Sequence, residues 1–117
     1  MDILITGDRQ EFCSESFERR LNQGLSALNI TLDSVKSVVR TAFGGAELRA
    51  EQFANSIGLP VTRIPLPDKM GKHARKAAIN TAIKEVDAII VLDDLNDMYC
   101  WHSKKQAELS GKPMAIC

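Results

Sequence analysis

The chain has 117 residues, of which 44% are hydrophobic and 26% are charged, as in an ordinary soluble domain with a single hydrophobic core. Its fifteen basic and fifteen acidic side chains give no net charge at pH 7, which does not support general electrostatic binding to nucleic acid or to an anionic membrane. With no apolar run of membrane-spanning length, no signal-peptide pattern at Met1 and no C-x-x-C pair, we expect one domain over residues 1–117, located in the cytoplasm and without a disulfide framework, a metal or a cofactor.

Short apolar strands alternate with amphipathic helices along the chain. The predicted strands cover residues 3–6, 35–41, 61–64, 88–92 and 114–117. The predicted helices cover residues 14–28 (with Ser14 as the N-cap), 46–57, 72–85 and 103–110. The fourth strand is apolar throughout, as is typical of a central strand covered on both faces. The order βαβαβαβαβ predicts an α/β fold, a single doubly wound (Rossmann-like) domain with a five-stranded parallel sheet.

Polar loops follow the carboxyl ends of the predicted strands, where open α/β sheets bind ligands. The first contains Gly7, Asp8 and Arg9. Gly7 permits a sharp turn or a close approach to a ligand. Arg9 offers a planar fork to a phosphate or carboxylate, although a plain turn with a solvated arginine explains the same residues.

The second loop contains Gly44 and Gly45 just before a predicted helix. Backbone N–H groups at such a position form a ready anion site. Glu47, in the first turn of that helix, either accepts a hydrogen bond from a ribose hydroxyl or favours the helix dipole.

The third loop is strongly basic, with four cations and His73 in residues 69–76. Lys72 and His73 belong to a phosphate clamp in one interpretation and to a solvated helix start in the other. Cations are disfavoured at a helix N-terminus, which favours the clamp.

The fourth loop is acidic and aromatic. Asp93, Asp94 and Asp97 can accept hydrogen bonds from ribose hydroxyls, hold a divalent ion or act as a general base. Tyr99 and Trp101 either stack on a base or pack in a subunit interface. Metal binding is the weakest of these interpretations, since the sequence has no second cluster of ligands.

These residues together resemble the SLOG superfamily of Rossmann-like proteins, in particular its YspA-like branch, whose relatives include the DprA and lysine-decarboxylase-like LOG proteins. The resemblance rests on Gly-Asp-Arg at 7–9, Gly-Ala-Glu at 45–47 and Gly-Leu-Pro-Val at 58–61. A Gly-Lys pair at 71–72 with the later Asn80 matches the third βα unit of the superfamily. The resemblance implies a nucleotide-derived ligand, with Asn80 among its contacts, and a homo-oligomer.

The chain departs from the superfamily in its fourth loop. Members commonly have Pro-Gly-Gly-x-Gly-Thr after the central strand, where this chain begins Asp93-Asp94. In the related nucleoside deoxyribosyltransferases a nucleophilic Glu stands where this chain has Ser103. We therefore expect a non-catalytic sensor or sequestering protein for a nucleotide-like ligand. The alternatives are an enzyme that cleaves N-glycosidic bonds with Asp94, Asp97 or Glu47, and a structural or interaction subunit.

Overall fold

The structure is a computed structural model that describes residues 1–7, 13–41, 45–67, 73–93 and 98–117, with the backbone alone for Met98 and Tyr99. The strands are β1 (Asp2–Gly7), β2 (Ser37–Arg40), β3 (Val61–Arg63), β4 (Ala88–Leu92) and β5 (Met114–Ile116). The helices are α1 (Ser14–Ala27), α2 (Ala46–Ser56), α3 (Ala74–Glu85) and α4 (Met98–Ser110).

The five strands form one parallel sheet in the order β3-β2-β1-β4-β5. The chain builds outward from β1 to β3, crosses back to place β4 on the other side of β1, and ends with β5 at the far edge. The predicted α/β class and the predicted parallel five-stranded sheet are therefore confirmed. The order reverses between β1 and β4, which makes that pair the switch point of the sheet.

Two hydrophobic cores lie on opposite faces of the sheet. Helices α1 and α2 pack on the face that carries Ile3 and Ile5 of β1, whereas α3 and α4 pack on the face that carries Leu4. Side chains of β4 alternate in the same way, with Ile90 in the first core and Ile89 in the second. Each central strand is thus covered on both sides, as its continuous apolar sequence predicts.

One predicted N-cap and one predicted helix start are wrong. Cys13, not Ser14, is the N-cap of α1, because its Sγ accepts a hydrogen bond from the Ser16 N–H at 3.4 Å. Helix α4 begins at Met98 rather than Ser103, because Cys100 is buried on the same helix face as Ala107, seven residues later. The described part of α3 begins at Ala74, and the predicted start at Lys72 lies outside the described residues.

None of the helices in the described ranges combines the length and the apolar character needed to cross a membrane.

Candidate functional site

The carboxyl ends of β1 and β4 lie side by side at the switch point. Gly7, the last residue of β1, is paired in register with Leu92, the last residue of β4. Asp93 follows directly, and its N–H donates to the Cys117 carbonyl at 3.0 Å, beyond the end of β5. Ligands of open α/β sheets bind in the crevice outside such a reversal in strand order. This edge of the sheet is therefore the candidate site.

Position 7 requires glycine because the backbone of β4 leaves no room for a side chain there. Its φ is +153°, and a Cβ on it would lie 2.2 Å from the Leu92 carbonyl oxygen and 2.8 Å from the Leu92 nitrogen. Any side chain would therefore push β1 away from β4. The sequence predicted a sharp turn or a close approach to a ligand at Gly7, and the close neighbour that the structure shows is instead the backbone of Leu92 on the adjacent strand.

Asp93 is paired with a lysine from the next helix. The Lys104 Nζ lies 2.5 Å from Asp93 Oδ2, and the side chains are only 20% and 12% exposed, respectively. A partly buried, charge-assisted hydrogen bond of this kind is stronger than a surface ion pair. The pair fixes the position of Asp93 at the switch point and adds Lys104, a cation that the sequence analysis did not assign to the site.

Glu47 is the second residue of α2, and its side chain contacts Thr41, the residue that follows β2. Its Oε1 accepts from the Thr41 backbone N–H at 2.8 Å, and both carboxylate oxygens lie 2.7 Å from the Thr41 hydroxyl. Glu47 is 1% exposed and Thr41 is fully buried. The N-cap between them, Gly45, has φ 65° and ψ −127°, a conformation that is essentially restricted to glycine.

Two arginines at the ends of β2 and β3 share one carboxylate of α2. Arg63 holds Glu51 with two hydrogen bonds of 2.6 and 2.8 Å, and Arg40 Nη1 lies 3.7 Å from the same carboxylate. The hydrogen bond from Arg63, together with the charge of Arg40, holds the pKa of Glu51 below its ordinary value. The nearly buried Arg40 also donates from Nε to the Thr41 carbonyl at 2.7 Å.

A histidine of α4, His102, lies close to Lys76 in the first turn of α3. His102 of α4 donates to the Lys76 backbone carbonyl of α3, and burial and the Lys76 charge lower the pKa of His102. The other ring nitrogen, Nε2, is buried and has no hydrogen-bond partner among the described residues. His73 is exposed at the N-cap position of α3, and the first turn of α3 contains no acid.

The remaining described candidates lie apart from one another. Trp101 is 56% exposed on the first turns of α4. Asn80 lies six residues into α3, roughly 9 Å along the helix from its start. It lines a groove of about 390 Å³ between α3 and α4, with Lys84, Gln106 and Leu109 among the other residues. The structure therefore places Asn80 on a helix–helix groove and not at the carboxyl edge of the sheet.

The described residues include only part of the predicted site. Gly7, Gly45, Glu47, His73 and Asp93 all lie at the carboxyl edge of the sheet or at the helix starts beside it. The following candidates lie outside the described residues: Asp8, Arg9, Gly44, Lys72, Asp94, Asp97 and the side chain of Tyr99.

The sequence interpretation missed four residues of this edge, namely Arg40, Thr41, Glu51 and Lys104. Their roles depend on contacts between separate elements, and the only local signal is the polar Arg40-Thr41 pair that ends an apolar strand. In the described ranges, no three His, Cys, Asp or Glu side chains lie close enough to hold a metal ion.

No model of a protein family matches the chain, and no curated protein matches its sequence. The class of the protein therefore rests on the fold itself, a Rossmann-like α/β domain whose strand order reverses between β1 and β4.

Proposed function

We propose that the protein binds a nucleotide-derived small molecule at the carboxyl edge of its sheet, in the crevice between β1 and β4. The observation that carries the proposal is the reversal of strand order, which sets Gly7 beside Leu92 and Asp93. Open parallel sheets bind their ligands at such a position because the loops on either side of the reversal diverge.

The chemistry around the crevice favours a nucleotide among small molecules. The Asp93–Lys104 pair combines an acceptor for sugar hydroxyls with a cation. Trp101, more than half exposed on the first turns of α4, is accessible for stacking on a base. Arg9, two residues after Gly7 in the sequence, supplies the fork for a phosphate. The resemblance to the SLOG superfamily supports the same ligand class.

Binding without catalysis is favoured over cleavage of an N-glycosidic bond. Glu47, one of three carboxylates considered for catalysis, is almost fully buried and hydrogen-bonded to Thr41. Ser103, at the position of the deoxyribosyltransferase nucleophile, is buried and is not an acid. A sensor or sequestering protein needs neither group, since it returns its ligand unchanged.

A thermal-shift screen of mono-, di- and cyclic nucleotides, followed by calorimetric titration of the hits, tests the proposal. A ligand that binds the folded state alone at a hundred times its Kd stabilises the protein by about 2.7 kcal/mol. Arg9→Ala should weaken every phosphorylated hit about tenfold or more, because one charge-assisted fork is lost. Arg19→Ala, which removes an exposed arginine on α1, is the matched control and should change nothing.

Mass spectrometry of the recovered ligand separates the alternatives. Intact ligand supports a binding protein. Free base and sugar phosphate, with turnover that disappears in Asp94→Asn or Asp97→Asn while binding persists, would establish an enzyme. If no nucleotide raises the melting temperature, the proposal fails and a structural or interaction subunit remains. Light scattering on the same samples tests the homo-oligomer that the resemblance implies.

A further inference from the structure

We propose that two copies of this chain associate through the edge strand β5, which pairs antiparallel with β5 of the second copy and joins the two sheets into one. This inference goes beyond the proposed ligand binding, because neither the interface nor its tests involve a nucleotide.

The first observation is the direction of the backbone groups of β5. Ala115 and Cys117 face β4, where the Cys117 N–H donates to the Val91 carbonyl at 2.9 Å. Successive residues of a strand direct their N–H and C=O groups to opposite sides, so those of Met114 and Ile116 face away from β4. They bond to no group in the part of the chain that the structure describes. An unpaired edge of this kind is a template for a further strand.

The second observation is that this edge is complementary to itself. In an antiparallel pair centred on Ala115, Met114 of each copy lies opposite Ile116 of the other, and the two residues exchange N–H···O=C bonds in both directions. Every outward donor of the two strands then meets an acceptor. A shift of the register would leave some of these groups unpaired. The arrangement places a two-fold axis at Ala115, as a closed homodimer requires.

The side chains favour β5 over the other edge of the sheet. Ile116 is 50% exposed, and β5 contains no charged residue. In the proposed pair, Met114 of the second copy lies beside Ile116 on the same face and covers part of it. At the opposite edge, β3 has the exposed residues Thr62 and Arg63, and charged side chains protect an edge strand from association. We therefore expect β5, and not β3, to pair with a second copy.

Helix α1 lies where it would extend this interface. A Cβ on Gly24 would be 3.1 Å from Ile90 Cγ2 and 3.2 Å from Cys117 Sγ, so α1 lies above the boundary between β4 and the end of β5. Neighbouring strands are about 4.8 Å apart, which places the two copies of α1 about 10 Å from each other across the axis. Helices pack at this distance.

The side of α1 that would face the second copy suits it in charge. Phe17 and Glu18 face α2, so the opposite side of α1, with Arg20, Gln23 and Ala27, is directed beyond β5. The axis brings Arg20 of each copy to the last turn of α1 in the other. That turn has no basic residue and carries the negative end of the helix dipole. With no net charge on either copy, long-range repulsion does not oppose the contact.

Sedimentation equilibrium over a series of concentrations tests the association. We expect the mass of the wild type to rise from 12.9 kDa towards twice that value with concentration. Ile116→Lys should weaken the dimer about tenfold or more, because the axis brings two like charges together across the paired strands. Thr62→Lys adds the same charge at the β3 edge and should match the wild type.

Two outcomes of this experiment overturn the proposal. A wild type that remains monomeric at its highest soluble concentration shows that β5 does not pair with itself, and leaves the edge to a strand of another protein. A dimer that Ile116→Lys does not weaken shows that the copies associate through a different surface.

Disulfide trapping tests the antiparallel geometry. The background for this experiment has serine in place of Cys13 and Cys117, the two cysteines that are not buried. Ala115→Cys then places one thiol of each copy at the axis, where directly opposite residues have Cα atoms about 4.5 Å apart, within the range of a disulfide. Oxidation should give a covalent dimer on a non-reducing gel, whereas Thr62→Cys in the same background should remain monomeric.

The absence of a cross-link in Ala115→Cys, or an equal cross-link in Thr62→Cys, overturns the antiparallel pairing of β5. Neither experiment uses a nucleotide, so a failure of the nucleotide screen leaves both results interpretable.

Discussion

Replacement of Gly7 by alanine tests whether the β1–β4 contact limits the sequence at the switch point. The added Cβ would lie 2.2 Å from the Leu92 carbonyl oxygen, whereas real Cβ atoms are essentially never found within 3.0 Å of such an atom. The obstacle is backbone at the end of a central strand, so the strain cannot be relieved by a side-chain rotation. The two strands must instead separate at the end where their loops begin.

The expected loss of stability is the sum of overpacking and backbone strain. Overpacking in a tightly packed site costs about 1–3 kcal/mol, and holding a residue with a side chain in a sparsely populated backbone region adds about 1–3 kcal/mol. We therefore expect Gly7→Ala to lower the free energy of unfolding by about 3 kcal/mol, a large share of the 5–15 kcal/mol typical of a domain. The measurement is urea denaturation followed by circular dichroism, with the midpoint and slope fitted separately.

Gly58→Ala is the matched control, because Gly58 also has a positive φ, of +77°, but has no neighbouring atom within 4 Å of the position of its Cβ. It should cost about 1 kcal/mol from backbone strain alone. A Gly7→Ala variant that is no less stable than Gly58→Ala would refute the argument, since the contact with Leu92 would then contribute nothing.

Three further predictions probe charged contacts of the edge and of the helices beside it. Removing Asp93 and Lys104 singly and together, as Asp93→Asn and Lys104→Met, should give a coupling energy of about 1–2 kcal/mol in a double-mutant cycle, and a coupling near zero would show that the pair is not formed. Because the pKa of Glu51 lies below its ordinary 4.5 in the folded state, its stabilisation is complete above that pH and is lost as the pH falls through the lowered value. Arg63→Ala should therefore flatten the fall in unfolding free energy below pH 4.5, and an unchanged slope would contradict this. Lys76→Met keeps the carbonyl that accepts from His102 but removes a charge, so the imidazole pKa of His102, read by NMR, should rise from its lowered value toward 6.5, and no rise would contradict the assigned cause.

The sheet could be predicted because its strands and most of its helices carry their own signals. The bounds of β4 match the predicted residues 88–92, since five consecutive apolar residues leave no other assignment. Helix α2 was predicted within one residue at its end, because the fully buried Ala46, Ala50 and Ala54 recur at helical spacing.

The start of α4 could not be predicted in this way. The residues that α4 turns inward in its first turns include Cys100 and Ser103, and Ser103 is polar. The next apolar residue on the face of Cys100 is Ala107, two turns later, and the exposed Trp101 adds an apolar residue outside that buried face. The aromatic and acidic composition therefore favoured a loop over a helix.

The interactions of the candidate site were the least predictable feature. Arg63 and Arg40 meet at Glu51 only because β3 pairs with β2 and α2 lies over both. No spacing along the chain encodes that arrangement. The same holds for Glu47, whose position in the first helical turn was predicted, whereas its hydrogen bonds to Thr41 depend on the tertiary fold.

The hydrogen bonds between Thr41 and Glu47 also have a practical consequence for protein engineering. These hydrogen bonds hold the end of β2 and the start of α2 together, and they use no group from residues 42–44, which connect the two elements in sequence. Loop closure costs little more as a loop grows, and each doubling of its length adds only about 0.6 kcal/mol. A foreign peptide inserted between Thr41 and Gly45 would therefore not have to hold the two ends of the loop together itself. We expect this position to tolerate a library of inserted sequences.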